Sequence, residues 1–297
     1  MRTLCIVGDS RSGSTLLQHL LALQDGVVAL GEVRRLQQMA ATGAPPCACG
    51  RPVAQCPFWT RVASLVGSPP NRIETTPSLG PLRRRVAGVA GWAALRLGLE
   101  GTTRGLLHTE RRAATNCLAL HRAATELTSD QVVVDASKVP SHFLHLRMEG
   151  GESVRPVLLV RDGRAVVWSK MHRRIQKGKA HDAATLTRQW LNVSRIMLAL
   201  QKSVPGPEGT FVYYEELCKD SRRMLEDILA PLGVAVRTTD LRSVSAERHD
   251  LGGSPRFRES LPERIELDER WRTEMPKEVL ATFERIGGRM NRRLGYG

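Results

Sequence analysis

Aromatic residues make up only 4% of the 297 residues. A core of ordinary size must therefore be filled by Leu, Val and Ala. The scarcity also argues against a single-strand nucleic-acid binder, which uses aromatic side chains as stacking platforms between its cations. No apolar run approaches the roughly 18 residues that a membrane-spanning helix needs. Asp9, Arg11 and the neighbouring serines interrupt the amino-terminal apolar stretch, so it does not read as a signal peptide, and a cytoplasmic location is expected. There are no internal repeats and no low-complexity tail, which argues against a repeat array.

Cysteine is sparse too, with six residues. Cys5, Cys117 and Cys218 lie in apolar or helical contexts and read as small core residues. Cys47, Cys49 and Cys56 share one loop, Cys47-Ala48-Cys49-Gly50 followed by Cys56-Pro57-Phe58-Trp59. Its one-residue gap departs from the two-residue zinc knuckle, and the loop has no histidine to complete four ligands. A redox-sensitive or metal-bound loop is one reading of the three thiols, and a reduced structural loop is the one favoured.

What the chain has in excess is positive charge, +14 at neutral pH. The arginines are spread along the chain, with clusters such as Arg83-Arg84-Arg85 and His172-Arg173-Arg174. Phosphate-bearing partners, acidic acceptors and plain solvated surface all fit that distribution.

Short runs of strand length recur: Leu4-Cys5-Ile6-Val7, Val27-Val28-Ala29-Leu30, Val132-Val133-Val134-Asp135, Val157-Leu158-Leu159-Val160 and Thr210-Phe211-Val212-Tyr213-Tyr214. Helical spacing separates them, at residues 34–41, 58–66, 113–127, 161–171 and 183–202. Further helices are expected at 220–232 and 277–294, and helices also over 75–112. Continuous rather than alternating apolar strands between helices imply an α/β fold, a central parallel sheet flanked by helices, of the phosphate-loop nucleotide-binding type. The strands run from the amino terminus to about 214, so one domain over 1–297 is expected. A mainly helical insertion around 43–130 would shape an acceptor cleft.

The first strand leads directly into Gly8-Asp9-Ser10-Arg11-Ser12-Gly13-Ser14-Thr15 and then an apolar helix. Loop amides and a helix N-terminus together attract an anion. The spacing is that of a nucleoside-triphosphate loop, but serine stands where the loop lysine would be. Arg11 is the nearest cation, and its planar fork suits phosphate or sulfate oxygens. The loop is thus suited to a phosphoryl-type anion and poorly equipped for Mg-ATP chemistry. An ordinary strand-to-helix turn capped by serines is the plain alternative. In parallel sheets ligands lie beyond the carboxyl ends of the strands, where Glu32, Lys138 and Arg161 also fall. Ser169 follows Arg161 by two helical turns and can point to the same side. Two separated anion sites along one sheet edge suit a nucleotide phosphorylated at two positions.

Taken in order, Gly8 to Thr15, Asp135-Ala136-Ser137-Lys138, Val160-Arg161-Asp162-Gly163-Arg164-Ala165 with Ser169, and Tyr214-Glu215-Glu216-Leu217 resemble the sulfotransferases that use 3′-phosphoadenosine 5′-phosphosulfate (PAPS). The subgroup most alike is the tyrosylprotein and bacterial type, whose base is a glutamate. The resemblance implies that Arg11, Ser12, Gly13, Ser14 and Thr15 bind the 5′-phosphosulfate and that Arg161 and Ser169 hold the 3′-phosphate. Arg256 reaches the 3′ side in the same reading, and Tyr214 and Glu215 buttress the loop. Glu32 is the expected base, ahead of His142, whose spacing from Lys138 does not fit the histidine-based branch. Lys138 and Arg11 are expected to stabilise the bridging oxygen and the sulfuryl group. The expected acceptor is a small molecule, glycan, lipid or peptide, with no metal required and no nucleic acid. A phosphate-loop kinase and a non-catalytic basic nucleic-acid binder are the rivals. The plain alternatives are an ion pair of Glu32 with Arg34 or Arg35, a surface lysine at 138 and a structural pair at Arg161.

Overall fold

The computed structural model describes residues 1–77, 93, 107–179, 182–204, 211–244, 247–254, 257 and 262–297. Most of the 75–112 stretch read as helical lies outside them, and so does Arg256. The strands are β1 (Arg2–Gly8), β2 (Val27–Gly31), β3 (Val132–Lys138), β4 (Val154–Val160) and β5 (Phe211–Tyr213). Between and after them come α1 (Ser14–Ala22), α2 (Leu36–Thr42), α3 (Pro57–Leu65), α4 (His108–Thr128), α5 (Pro140–Gly150), α6 (Gly163–Gln176) and α7 (Ala183–Ser203). After β5 follow α8 (Tyr214–Lys219), α9 (Ser221–Leu229), the single turn α10 (Trp271–Glu274) and α11 (Lys277–Arg293).

The five strands form one sheet in the order β2-β3-β1-β4-β5, every pairing parallel. Side chains of a strand alternate between faces. Leu4 and Ile6 of β1 therefore enter a core layer with Leu16, Leu17, Leu20 and Leu21 of α1, while Cys5 and Val7 enter the opposite layer with α4, α5 and α7. Leu17, Leu20 and Leu21 have no exposed surface. Each contributes ~1.5–3 kcal/mol by burial, and together they seat α1 so that its N-terminus meets the end of β1.

Two edges differ from the sequence reading. β3 runs on to Lys138, beyond the β-branched residues, because its register slips between the partners of Cys5 and Val7. β5 ends at Tyr213, and Tyr214 already opens α8. A slip also occurs between Ala29 and Gly31 of β2. Such irregularities redirect side chains at strand ends, and both lie where Glu32, Lys138 and the first loop converge.

Connections from β1 run to one side of the sheet and those from β4 to the other, so the switch point lies between β1 and β4. In open parallel sheets the ligand crevice lies at such a point, beyond the carboxyl ends of the strands. After α9 the chain crosses back, and Leu251 bridges Gly31 in parallel. Leu251 N donates to Leu30 O at 3.0 Å and Glu32 N to Leu251 O at 2.7 Å.

Candidate active site

The loop after β1 is held in a strained shape. Arg11 has φ +73° and Gly13 φ +95°. A Cβ at residue 13 would lie 2.3 Å from Tyr214 Cδ2, so the Tyr214 ring packs directly beneath the turn and only glycine fits. Strain of this kind marks places where the surrounding structure enforces a functional geometry. Gly13 also caps α1 with no side-chain hydrogen bond, and no acidic residue occupies the first turn. The first amides of α1 are thus available to an anion. Ser12 and Ser14 are buried beside them, and Thr15 Oγ1 accepts from Ser254 N at 3.1 Å.

The loop and the end of β4 are in contact. Arg11 Nε donates to Ser169 Oγ at 2.9 Å, and Arg161 NH1 donates to Arg11 O at 3.1 Å. Arg161 is only 6% exposed, lies 4.4 Å over the Tyr214 ring, and donates from NH2 to Asp268 O at 2.8 Å. Asp268 Oδ2 lies 3.7 Å from NH2, so part of the guanidinium has a structural partner. Its Nε is buried and has no hydrogen-bond partner among the described residues. Burial, then the charges of Arg173 and Arg161, push the Arg11 guanidinium below its ordinary value. Crowded, partly desolvated cations beside a helix N-terminus favour an anionic ligand.

Across the crevice, at the ends of β2 and β3, Lys138 Nζ donates to Glu32 Oε1 at 2.5 Å and Arg35 NH1 to Oε2 at 3.2 Å. Gly253 N also approaches Oε1, at 3.3 Å. Burial works to raise the Glu32 carboxyl, but the charge and hydrogen bonds of Lys138 and then Arg35 outweigh it and hold the group below the usual carboxylate range. Glu32 is thus ionised at neutral pH. Lys138 has φ +68°, an unusual backbone for a lysine, which aims it across at Glu32. Gly252 with φ +73° lets the returning chain approach, since a Cβ there would lie 2.7 Å from the Glu32 carboxyl carbon.

His142 has another occupation. Its Nε2 lies 2.9 Å from Asp135 Oδ2, and His121 Nε2 lies 3.3 Å from the same oxygen. Asp135 is fully buried. Its desolvation is overcome by His142 and His121, and the carboxyl is held far below its ordinary value. Below the turn, Glu215 accepts from Asp162 N at 3.1 Å and from Tyr296 OH at 2.6 Å, tying α8 to the start of α6 and the carboxyl-terminal residues.

No family model and no curated protein matches the chain. Among solved structures, the sulfotransferase domain of the Synechococcus PCC 7002 olefin synthase superposes with a TM-score of 0.60 at 19% identity, covering 100% of this chain and 94% of that one. The fold is that of sulfotransferase domains. A second such domain, from the curacin biosynthetic pathway, gives 0.58 at 15% identity, covering 100% and 98%.

Arg11, Ser12, Gly13, Ser14, Thr15, Arg161 and Ser169 lie together at the carboxyl ends of β1 and β4, with Glu32 and Lys138 at the ends of β2 and β3. The resemblance runs on through Gly252-Gly253-Ser254-Pro255-Arg256-Phe257, but the sequence reading gives no role to Ser254, whose Oγ lies 3.4 Å from Arg11 NH1, and does not place the 249–254 segment as a wall of the site. Its glycines were visible in sequence, but nothing local placed it against Glu32. The reading also passed over His249, whose ring lies among the thiols of the cysteine loop. No helix among the described residues is long and apolar enough to cross a membrane.

Proposed function

We propose that the chain is a PAPS-dependent sulfotransferase, moving a sulfuryl group to a hydroxyl or amine. The carrying observation is the contact of Arg11 with both Ser169 and Arg161, which joins the anion-receptive turn to the end of β4 within one crevice. The fold shared with two sulfotransferase domains supports the same reading. The residues fit the donor nucleotide: an uncapped helix N-terminus, a buried arginine with an orphaned Nε, and no loop lysine at residue 14.

In this reading Arg11, Ser12, Gly13, Ser14 and Thr15 hold the 5′-phosphosulfate, and Arg161, Ser169 and Arg256 hold the 3′-phosphate side. The donor supplies the activated sulfuryl group. Glu32, ionised at neutral pH, takes the acceptor proton, as the glutamate of the tyrosylprotein and bacterial type does. Once Glu32 is protonated its ion pair weakens, and Lys138 together with Arg11 offers positive charge to the oxygen left behind. Lys138 also holds Glu32 in place beforehand. The chain acts as a single domain in the cytoplasm, with the 43–130 region shaping the cleft for a small-molecule, glycan, lipid or peptide acceptor. No metal takes part in the transfer.

The test is incubation with PAPS and a panel of phenols, glycans, peptides and lipids, read by mass spectrometry for one added sulfate. Transfer from PAPS and none from ATP supports the reading. Phosphate transfer from ATP, or salt-dependent nucleic-acid binding indifferent to Arg11 with no sulfate transfer, overturns it.

A further inference from the structure

The cysteine loop is not closed on itself. His249, nearly two hundred residues further on, brings its imidazole to Cys47, Cys49 and Cys56, and the four donor atoms lie within 4.8 Å of one another. Cys56 Sγ is 3.6 Å from Cys47 Sγ, 3.7 Å from Cys49 Sγ and 3.3 Å from His249 Nδ1, and Cys47 Sγ is 4.0 Å from the same nitrogen. A tetrahedral zinc with Zn–S of about 2.3 Å and Zn–N of about 2.0–2.1 Å has donor–donor edges of about 3.8 Å and about 3.5 Å. The two sulfur–sulfur distances fall just short of the first value, and the two sulfur–nitrogen distances lie on either side of the second. None of the six cysteines is in a disulfide.

The surroundings orient each donor. Gly50 N donates to Cys47 O and Cys47 N to Arg51 O, both at 2.9 Å, which folds the 47–51 turn and points two thiols inward. Cys56 precedes Pro57 at the start of α3, where the helix dipole favours a thiolate. The His249 ring stacks on Phe58 at 5.0 Å and 2°, and Trp59 Nε1 donates to His249 O at 2.7 Å. Ala48 N donates to Asp250 O at 3.2 Å, so the two segments also share a backbone bond. Cys47 and Cys56 are fully buried, and Cys49 and His249 partly so.

We infer that Cys47, Cys49, Cys56 and His249 form a structural zinc site that staples residues 249–254 to the cysteine loop. Three soft sulfurs and one imidazole nitrogen are a zinc donor set, and four protein ligands leave no position for water or substrate. Binding displaces the thiol protons to solvent and changes no oxidation state. The staple has a local purpose. From His249 the chain passes within five residues through Asp250, which accepts from Gln18 Nε2 at 3.0 Å, to Leu251 on Gly31, Gly253 at Glu32 and Ser254 at Thr15. Fixing His249 therefore fixes the wall that touches both the candidate base and the anion turn.

The experiment uses the full chain and needs no substrate, so its outcome is independent of the sulfuryl-transfer reading. Elemental analysis of purified protein is expected to find one zinc per chain. Chelator-stripped protein reloaded with cobalt(II) should show sulfur-to-cobalt charge transfer and the visible bands of a tetrahedral ion. Cys49→Ser and His249→Ala should each lose zinc at least about tenfold more readily to a competing chelator. Amide exchange at Glu32 and Leu251 should quicken on stripping and slow again with zinc. If either variant does not fold, the stripping and reloading of the wild type decides alone. Protein that takes up no zinc or cobalt and whose three thiols alkylate as readily as exposed ones, or an intact mass two hydrogens short from a disulfide, overturns the proposal.

Discussion

Glu32→Gln separates the chemistry of the site from its architecture. Glutamine keeps the shape and one acceptor oxygen, but removes the charge that Lys138 meets at 2.5 Å and Arg35 at 3.2 Å. Two consequences have different sizes. Loss of a positioned base costs about 10²–10⁴ in rate, or about 3–5.5 kcal/mol in the barrier at 1.36 kcal/mol per decade. Loss of charge-assisted hydrogen bonds costs at most about 1.5–3 kcal/mol of stability, and less here because both side chains of the Lys138 pair keep some exposure to solvent. Nucleotide affinity should hold or rise slightly, since a negative charge beside the anion crevice is removed.

The pH dependence has a definite sign. The Glu32 carboxyl is held below its ordinary value. Its ionised form, and the stability of its ion pair, are complete above the ordinary value and are lost only as pH falls through the lower folded value. Single-turnover sulfate transfer with PAPS, calorimetric titration of the desulfated nucleotide and urea unfolding across acid pH measure the three effects. The variant should be slow but folded, should bind nucleotide, and should lack the acid-dependent part of wild-type stability. Transfer within about threefold of wild type would refute the base assignment, since a positioned base contributes at least about a hundredfold.

Three further variants probe other parts of the crevice. Arg161→Lys cannot reproduce the guanidinium fork, and nucleotide affinity should fall by about 10–150-fold, the equivalent of about 1.5–3 kcal/mol; unchanged calorimetric affinity would make Arg161 purely structural. Gly13→Ala drives a methyl against Tyr214 at positive φ, so melting should drop by the equivalent of about 1–3 kcal/mol and nucleotide binding should be lost; wild-type affinity would contradict the turn geometry. Asp135→Asn removes the charge shared by His121 and His142 and should lower stability at neutral pH by about 3–5 kcal/mol. Because the Asp135 carboxyl is depressed, the gap to wild type should narrow as pH falls below about 3.9, the ordinary aspartate value; a constant gap in urea melts would argue against it.

Local order was written into the chain wherever neighbours in sequence supply the determining force. Leu4-Cys5-Ile6-Val7 is apolar on both faces because the strand is covered on both, and the leucines of α1 repeat at helical spacing because one stripe is buried. The turn between them needs glycine at residue 13, and the parallel sheet follows from strands alternating with helices. Arg161 and Ser169 were read as a pair two turns apart on one helix, but that helix begins only at Gly163, and what relates them is their joint contact with Arg11, which no local pattern encodes.

What the tertiary structure alone decided are the meetings between residues far apart in sequence. Lys138 pairs with Glu32 because a register slip in β3 and a left-handed residue turn it across the strand ends. Tyr214 lies under Gly13 because β5 is added at the far side of β4 and the chain turns back there. His249 reaches three cysteines nearly two hundred residues away because Leu251 is captured on the edge of β2. No local periodicity encodes such contacts. They follow from chain topology, and only when the sheet has formed does the free energy of burial and pairing bring them together.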